Sequence, residues 1–230
     1  MKRLIFAFLT VSVFVLTVSV GNAQMTPKTF GIGFKGGLAY PGDPDSFNDY
    51  WKLGYNFGML VRYNVTDMVA IELNNVYHTF EAKTSELWDV PPEYDDGDEC
   101  YVLDYSVDGY DSKILGFTAN AVISLPIQEG GKTNLYFSGG LGLYNLSWSD
   151  IEASLQIDCP SDSLYQADIT ETYDSENKFG LNTGFGVESF VSTRTSFHVG
   201  VKGHGIFTED EATTFATLEA GVKFYFGGTQ

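Results

Sequence analysis

The chain has 230 residues, with 13 Lys and Arg against 30 Asp and Glu, a net charge of −17. That length suits one domain after a leader. The acidic balance repels phosphates, so no nucleic-acid partner is expected.

The chain opens Met1-Lys2-Arg3, followed by an apolar run from Leu4 to Val20 and then Gly21-Asn22-Ala23-Gln24. A basic start, an apolar core and small residues at −3 and −1 predict a secretory signal peptide over residues 1–23, cleaved before Gln24. An uncleaved anchor is the alternative. Residues 24–230 form the mature domain, with 11 basic against 30 acidic residues. No later run is apolar enough for a transmembrane helix.

Eight stretches then alternate large apolar residues with Gly, Asn, Thr, Ser or charged residues. They span 29–40, 53–64, 68–80, 112–126, 133–148, 178–191, 195–207 and 218–226. In the first, Phe30, Ile32, Phe34, Leu38 and Tyr40 share one parity, and Gly31, Gly33, Lys35, Gly37 and Ala39 the other. The last sets Leu218, Ala220, Val222, Phe224 and Phe226 against Glu219, Gly221, Lys223 and Tyr225. Period-two alternation predicts strands, and about ten residues suffice to cross a bilayer when tilted.

The connections alternate too. Short turns are expected near 65–67, 127–132 and 192–194, and long exposed loops at 41–52, 81–111, 149–177 and 209–214. Those four loops hold 25 of the 30 acidic residues. The sorting predicts an all-β, eight-stranded, antiparallel up-and-down transmembrane barrel, with tight turns on one side and long loops on the other. Tyr40, Tyr63, Tyr77 and Trp148 lie near strand ends, where aromatic girdles are expected.

On this register the polar interior carries Lys35, Arg62, Glu72, His78, Glu188, His198, Lys202, His204, Glu219 and Lys223. An eight-stranded barrel is just wide enough for side chains to fill it. The set is read as a hydrogen-bonded, salt-bridged plug, with a narrow ion conduit as the alternative. Cys100 and Cys159 lie in the acidic loops, and in an exported chain an even pair suggests a disulfide. Such a link contributes about 4 kcal/mol in the chain-entropy model. No histidine lies in either loop, so no metal site is expected there, and no cofactor. Asp95, Asp96, Asp98 and Glu99 hint at calcium but lack EF-hand spacing.

Across residues 28–226 the chain resembles the small eight-stranded barrels of the outer-membrane-protein A and X type. The most specific element is the last strand, where Glu219, Gly221, Phe224 and Phe226 look like the C-terminal assembly signal of that class. Gly227-Gly228-Thr229-Gln230 after the final aromatic departs from the pattern. The resemblance implies the cell outer membrane as location. It also implies contact with outer-membrane lipid and lipopolysaccharide, and recognition by the outer-membrane assembly machinery.

The expected function is non-catalytic: a structural or surface-interaction barrel whose acidic loops meet an extracellular partner or cations. Three alternatives remain open. A narrow small-solute channel needs an open lumen. A lipid A-modifying enzyme needs a nucleophile beside a base, and the only candidates are Ser196 with the inward histidines His78, His198 and His204. A soluble lipocalin-like carrier needs its apolar rows inside, and the alternation alone does not exclude it.

Overall fold

The computed structural model describes residues 26–83, 93–94, 100–128, 131–158, 165–172, 174–209 and 211–227. The signal peptide expected over 1–23, Cys159 and residues 95–99 lie outside the described residues. The elements in chain order are β1 (Thr29–Pro41), α1 (Asp45–Tyr50), β2 (Gly54–Asn64), β3 (Val69–Phe80), β4 (Glu93–Tyr94), β5 (Cys100–Gly109), β6 (Ser112–Pro126), β7 (Thr133–Trp148), β8 (Ile151–Asp158), β9 (Tyr165–Glu171), β10 (Glu176–Ser192), β11 (Thr195–Ile206) and β12 (Thr213–Gly227).

Eight of the strands close into a barrel in the order β1-β12-β11-β10-β7-β6-β3-β2. Every pairing is antiparallel, and β1 meets β12 along a ladder from Thr29↔Gly227 to Pro41↔Phe215. Closure leaves no edge, the condition for a sheet to cross hydrocarbon. The predicted parity holds around the cylinder. Outward rows are apolar and bare, with Phe179 70% and Leu141 66% exposed, whereas Arg62 and Glu188 inside are 0% exposed.

Two expectations need correction. The stretches 81–111 and 149–177 are not simply loops: β4, β5, β8 and β9 form a second, four-stranded sheet. The last barrel strand begins at Thr213, not Leu218, and the connection expected at 209–214 lies at 207–212. It is no longer than the turn at 127–132 on the opposite side. The stretch 41–52 carries α1, whose Phe47 is buried.

The barrel interior is layered. At the long-loop end an apolar cluster joins Ala39, Phe47, Phe80, Ile114, Tyr144, Leu146, Ile206 and Phe215, with Trp51 and Trp148 packed against it. Trp148 therefore faces the mouth and not an outer girdle, because it shares the even parity of the inward residues of β7. At the short-turn end a second cluster joins Ala70, Val122, Phe190 and Tyr225, with Tyr136 beside it. The charged residues lie between the two.

The β1–β12 seam sets a steric limit. A Cβ at Gly37 would lie 1.8 Å from the Leu218 carbonyl oxygen, whereas one at outward Gly205 meets nothing within 4 Å. Gly37→Val is expected to cost about 1–3 kcal/mol or more by overpacking. It should lower the urea midpoint and weaken the heat-modifiable band on gels, with Gly205→Ala close to wild type.

Candidate functional site

Inward parity delivers all ten of the sequence-nominated polar residues to the lumen, where each is buried. Eight of them form three connected groups, and His198 and Lys202 lie beside these. Nearest the short turns, Arg62 Nη1 lies 3.1 Å from Glu188 Oε2 and 3.8 Å from Glu72 Oε2. Arg62 also donates to Asn64 and Ser124 at 3.0 and 3.1 Å. Glu188 accepts from the hydroxyls of Ser196 and Tyr225 at 2.5 and 2.7 Å. Lys223 reaches Glu188 at 3.4 Å and Glu72 at 3.8 Å.

In the middle, Lys35 donates to Glu219 Oε2 at 2.9 Å, and Thr217 donates to Glu219 Oε1 at 3.1 Å. Gly221 is obliged to be small here, since a Cβ would approach the Phe34 carbonyl oxygen to 2.3 Å and His198 to 2.5 Å. Thus Glu219 and Gly221, nominated for assembly, also have packing roles in the finished barrel. Phe224 and Phe226 point outward and are exposed.

Toward the long-loop mouth the histidines gather. His204 stacks on Phe215 at 4.4 Å with the rings nearly parallel, and its Nδ1 lies 3.0 Å from the Tyr144 hydroxyl. His78 sits edge-on to both His204 and Phe215. Above them Phe47 packs on Phe80 and Trp51, and Trp51 Nε1 donates to the Tyr110 carbonyl at 3.1 Å. Burial pushes the Tyr110 hydroxyl above its usual pKa.

The Ser196 hydroxyl, nominated as a nucleophile, donates to the Glu188 carboxylate and not to a histidine. Among the described residues no group of three or more His, Cys, Asp or Glu could hold a metal ion.

The second candidate is the outer sheet, ordered β4-β5-β8-β9. Its central ladder continues the β6–β7 hairpin: Ser112↔Trp148 is the last barrel pair, and Gly109↔Ile151 the first beyond it. The register pairs apolar residues with apolar ones and polar with polar. Val102, Tyr105 and Val107 pair with Ile157, Leu155 and Ala153, which pair in turn with Tyr165, Ala167 and Ile169. In the alternate positions Asp104, Ser106 and Asp108 pair with Gln156, Ser154 and Glu152, and these with Gln166, Asp168 and Thr170. A shift between Val102 and Asp104 keeps the two sets in phase. A period-two signal runs through 151–158 and 165–171, masked in the sequence by the density of acids around it.

The buried pairs should dominate stability. Removing one partner leaves a buried charge uncompensated, at a cost of about 3–5 kcal/mol. Glu188→Ala, which strands Arg62 and Lys223, is expected to lose about that much in urea titrations. Lys52→Ala, which breaks the exposed Lys52–Glu81 pair at 3.1 Å, should change the result by only about 0–1 kcal/mol.

Comparison with known proteins agrees with this geometry. Neisserial surface protein A matches with 16% identity and a TM-score of 0.51, over 86% of this chain and 97% of that one. OprG of Pseudomonas aeruginosa is 14% identical with a TM-score of 0.49, over 91% and 100%. Ail of Yersinia pestis is 15% identical with a TM-score of 0.48, over 87% and 99%. At such identities a likeness speaks for the fold alone, and here the neisserial protein carries it. No curated protein matches the chain. The family model described as the outer membrane protein beta-barrel domain matches residues 8–226; with its closed eight-stranded cylinder, apolar outside and charged within, the chain belongs to that family.

Proposed function

We propose that this protein is a non-catalytic surface-interaction barrel of the cell outer membrane, in which the cylinder is an anchor and the outer sheet is the working part. The observation that carries the reading is the two-faced register of β5, β8 and β9. An apolar sheet face gains by burial against another element, and a row of acids opposite it favours a basic or cation-bridged contact. The partner is therefore an extracellular surface presenting apolar and basic groups, and the activity is attachment.

The same reading covers delivery. The signal peptide at 1–23 sends the chain across the inner membrane, and Glu219, Gly221, Phe224 and Phe226 present the last strand to the assembly machinery. Outer-membrane lipid and lipopolysaccharide surround the apolar rows. Cys100 and Cys159 form a disulfide that pins the sheet. The register supports this, since the last β5–β8 pair is Tyr101↔Asp158, and each of these residues is adjacent in sequence to one of the cysteines.

Cells carrying Tyr105→Asp with Leu155→Asp, which charges the apolar face, are expected to lose attachment to host matrix or neighbouring cells by tenfold or more. The barrel should remain inserted and heat-modifiable. Unchanged attachment would overturn the reading. In planar bilayers the protein is expected to show no steady conductance, because both lumen ends are apolar and filled; a regular single-channel step would favour the channel instead.

A further inference from the structure

We propose that residues 41–52 form a latch that fixes the outer sheet relative to the barrel, with Trp51 as the positioning residue. The inference starts at the junction of the two sheets. Ser112↔Trp148 ends the barrel ladder, and Gly109↔Ile151 begins the outer one. Tyr110, Asp111, Ser149 and Asp150 between them belong to neither ladder. Gly109 and Tyr110 have φ of 96° and 61°. Positive φ is uncommon at a tyrosine and persists where the surroundings hold it. Both strands therefore leave their ladder at one level, and the outer sheet joins the barrel through a bend.

The latch holds that bend. Its near end is tied to β12: Gly42 N donates to the Thr214 carbonyl at 2.9 Å, and Thr214 N to the Asp43 carbonyl at 2.7 Å. Its far end is tied to the chain just beyond β3. There Lys52 N donates to the Glu81 carbonyl at 2.8 Å, and Lys83 N to the Tyr50 carbonyl at 2.7 Å. Between these ends α1 buries Phe47 in the apolar mouth cluster, with its ring 5.1 Å from that of Phe80.

Trp51 carries the hold across to the bend. Its ring lies 5.4 Å from Phe47 and 5.5 Å from Tyr110, separations at which aromatic pairs attract. Its Nε1 donates to the Tyr110 carbonyl at 3.1 Å. Trp51 also forms a β-bridge with Ala82, whose amide donates to Asp111 Oδ1 at 3.1 Å. Asp111 in turn receives and gives a bond across the bend: its N donates to Ser149 Oγ at 2.7 Å, and Ser149 N donates to its carbonyl at 3.0 Å. A mechanical path thus runs from the barrel core through Phe80, Phe47, Trp51 and Tyr110 to the outer sheet. A binding surface held at one angle loses less freedom on docking than a swinging one. That benefit rests on the outer sheet being the working part; the latch does not.

The test is double electron–electron resonance on the full-length protein in detergent. Spin labels sit at Met59→Cys in β2 and Gln156→Cys in β8, with both native cysteines replaced by serine. The parent is expected to give one narrow distance peak. Trp51→Ala should widen it about twofold or more, whereas Trp51→Phe, which keeps an aromatic ring beside Tyr110, should stay narrow. A Trp51→Ala distribution as narrow as the parent's would overturn the proposal. Should that variant lack the heat-modifiable band, Asp111→Ala, which frees the Ala82 amide, takes its place with the same two outcomes. Hydrogen exchange gives a second readout. In Trp51→Ala the Asp111 and Ser149 amides should exchange about tenfold faster or more, with Phe117 and Leu143 in the barrel unchanged. Unchanged protection at Asp111 and Ser149 would contradict the latch. A widened distribution with undiminished attachment would count against the outer sheet as the working part and leave the latch standing.

Discussion

A chain crossing hydrocarbon as strands must pair every backbone N–H and C=O within itself, because the lipid offers no partner. That demand forces the β1–β12 seam, and the seam forces everything else. A closed sheet has two faces of opposite parity, so each strand sends alternate residues to lipid and to a lumen only wide enough for side chains. Close approach of paired strands within the wall explains glycines such as Gly37 and Gly221. Gly37 and Gly221 stand where a methyl group would strike a carbonyl oxygen of the neighbouring strand.

The filling of the lumen is then a matter of charge pairing under desolvation. Each ion taken out of water costs several kcal/mol, recovered only when partners and hydrogen bonds are complete. Glu188 meets this condition most fully, with Arg62, Lys223, Ser196 and Tyr225 all directed at it. The apolar clusters at both ends deepen the desolvation and separate the ionic middle from water. Such an interior is filled by its own side chains. On the proposed reading, specificity resides outside the membrane, in the sheet built from the β3–β6 and β7–β10 connections.

The barrel was legible because its signal is periodic and long. The parity of Lys35, Arg62, Glu72 and Lys223 with nearby Gly and Asn places them inside on the sequence alone. Which carboxylate meets which cation was not legible, since Arg62 and Glu188 are 126 positions apart and strand stagger decides the meeting. The apolar caps were missed for a related reason: Ile114, Phe80 and Phe215 carry inward parity at strand ends, where an outer girdle was expected. The outer sheet was missed through an over-weighting of charge. Ile151, Ala153, Leu155 and Ile157 alternate as cleanly as any barrel strand, but Asp150, Glu152 and Asp158 among and around them suggest solvent-exposed loop. Charge on alternate residues is compatible with a strand that has one wet face.

The central claim is that the Phe, Leu and Val rows touch hydrocarbon and the charged rows do not. The most direct measurement places a fluorophore on single cysteines along β12, from position 218 to 224, in a background with both native cysteines replaced by serine. The protein is reconstituted in vesicles containing a lipid-borne quencher. Strong quenching at 218, 220, 222 and 224, with little at 219, 221 and 223, is the predicted pattern. The opposite parity, or uniform quenching, would contradict the account.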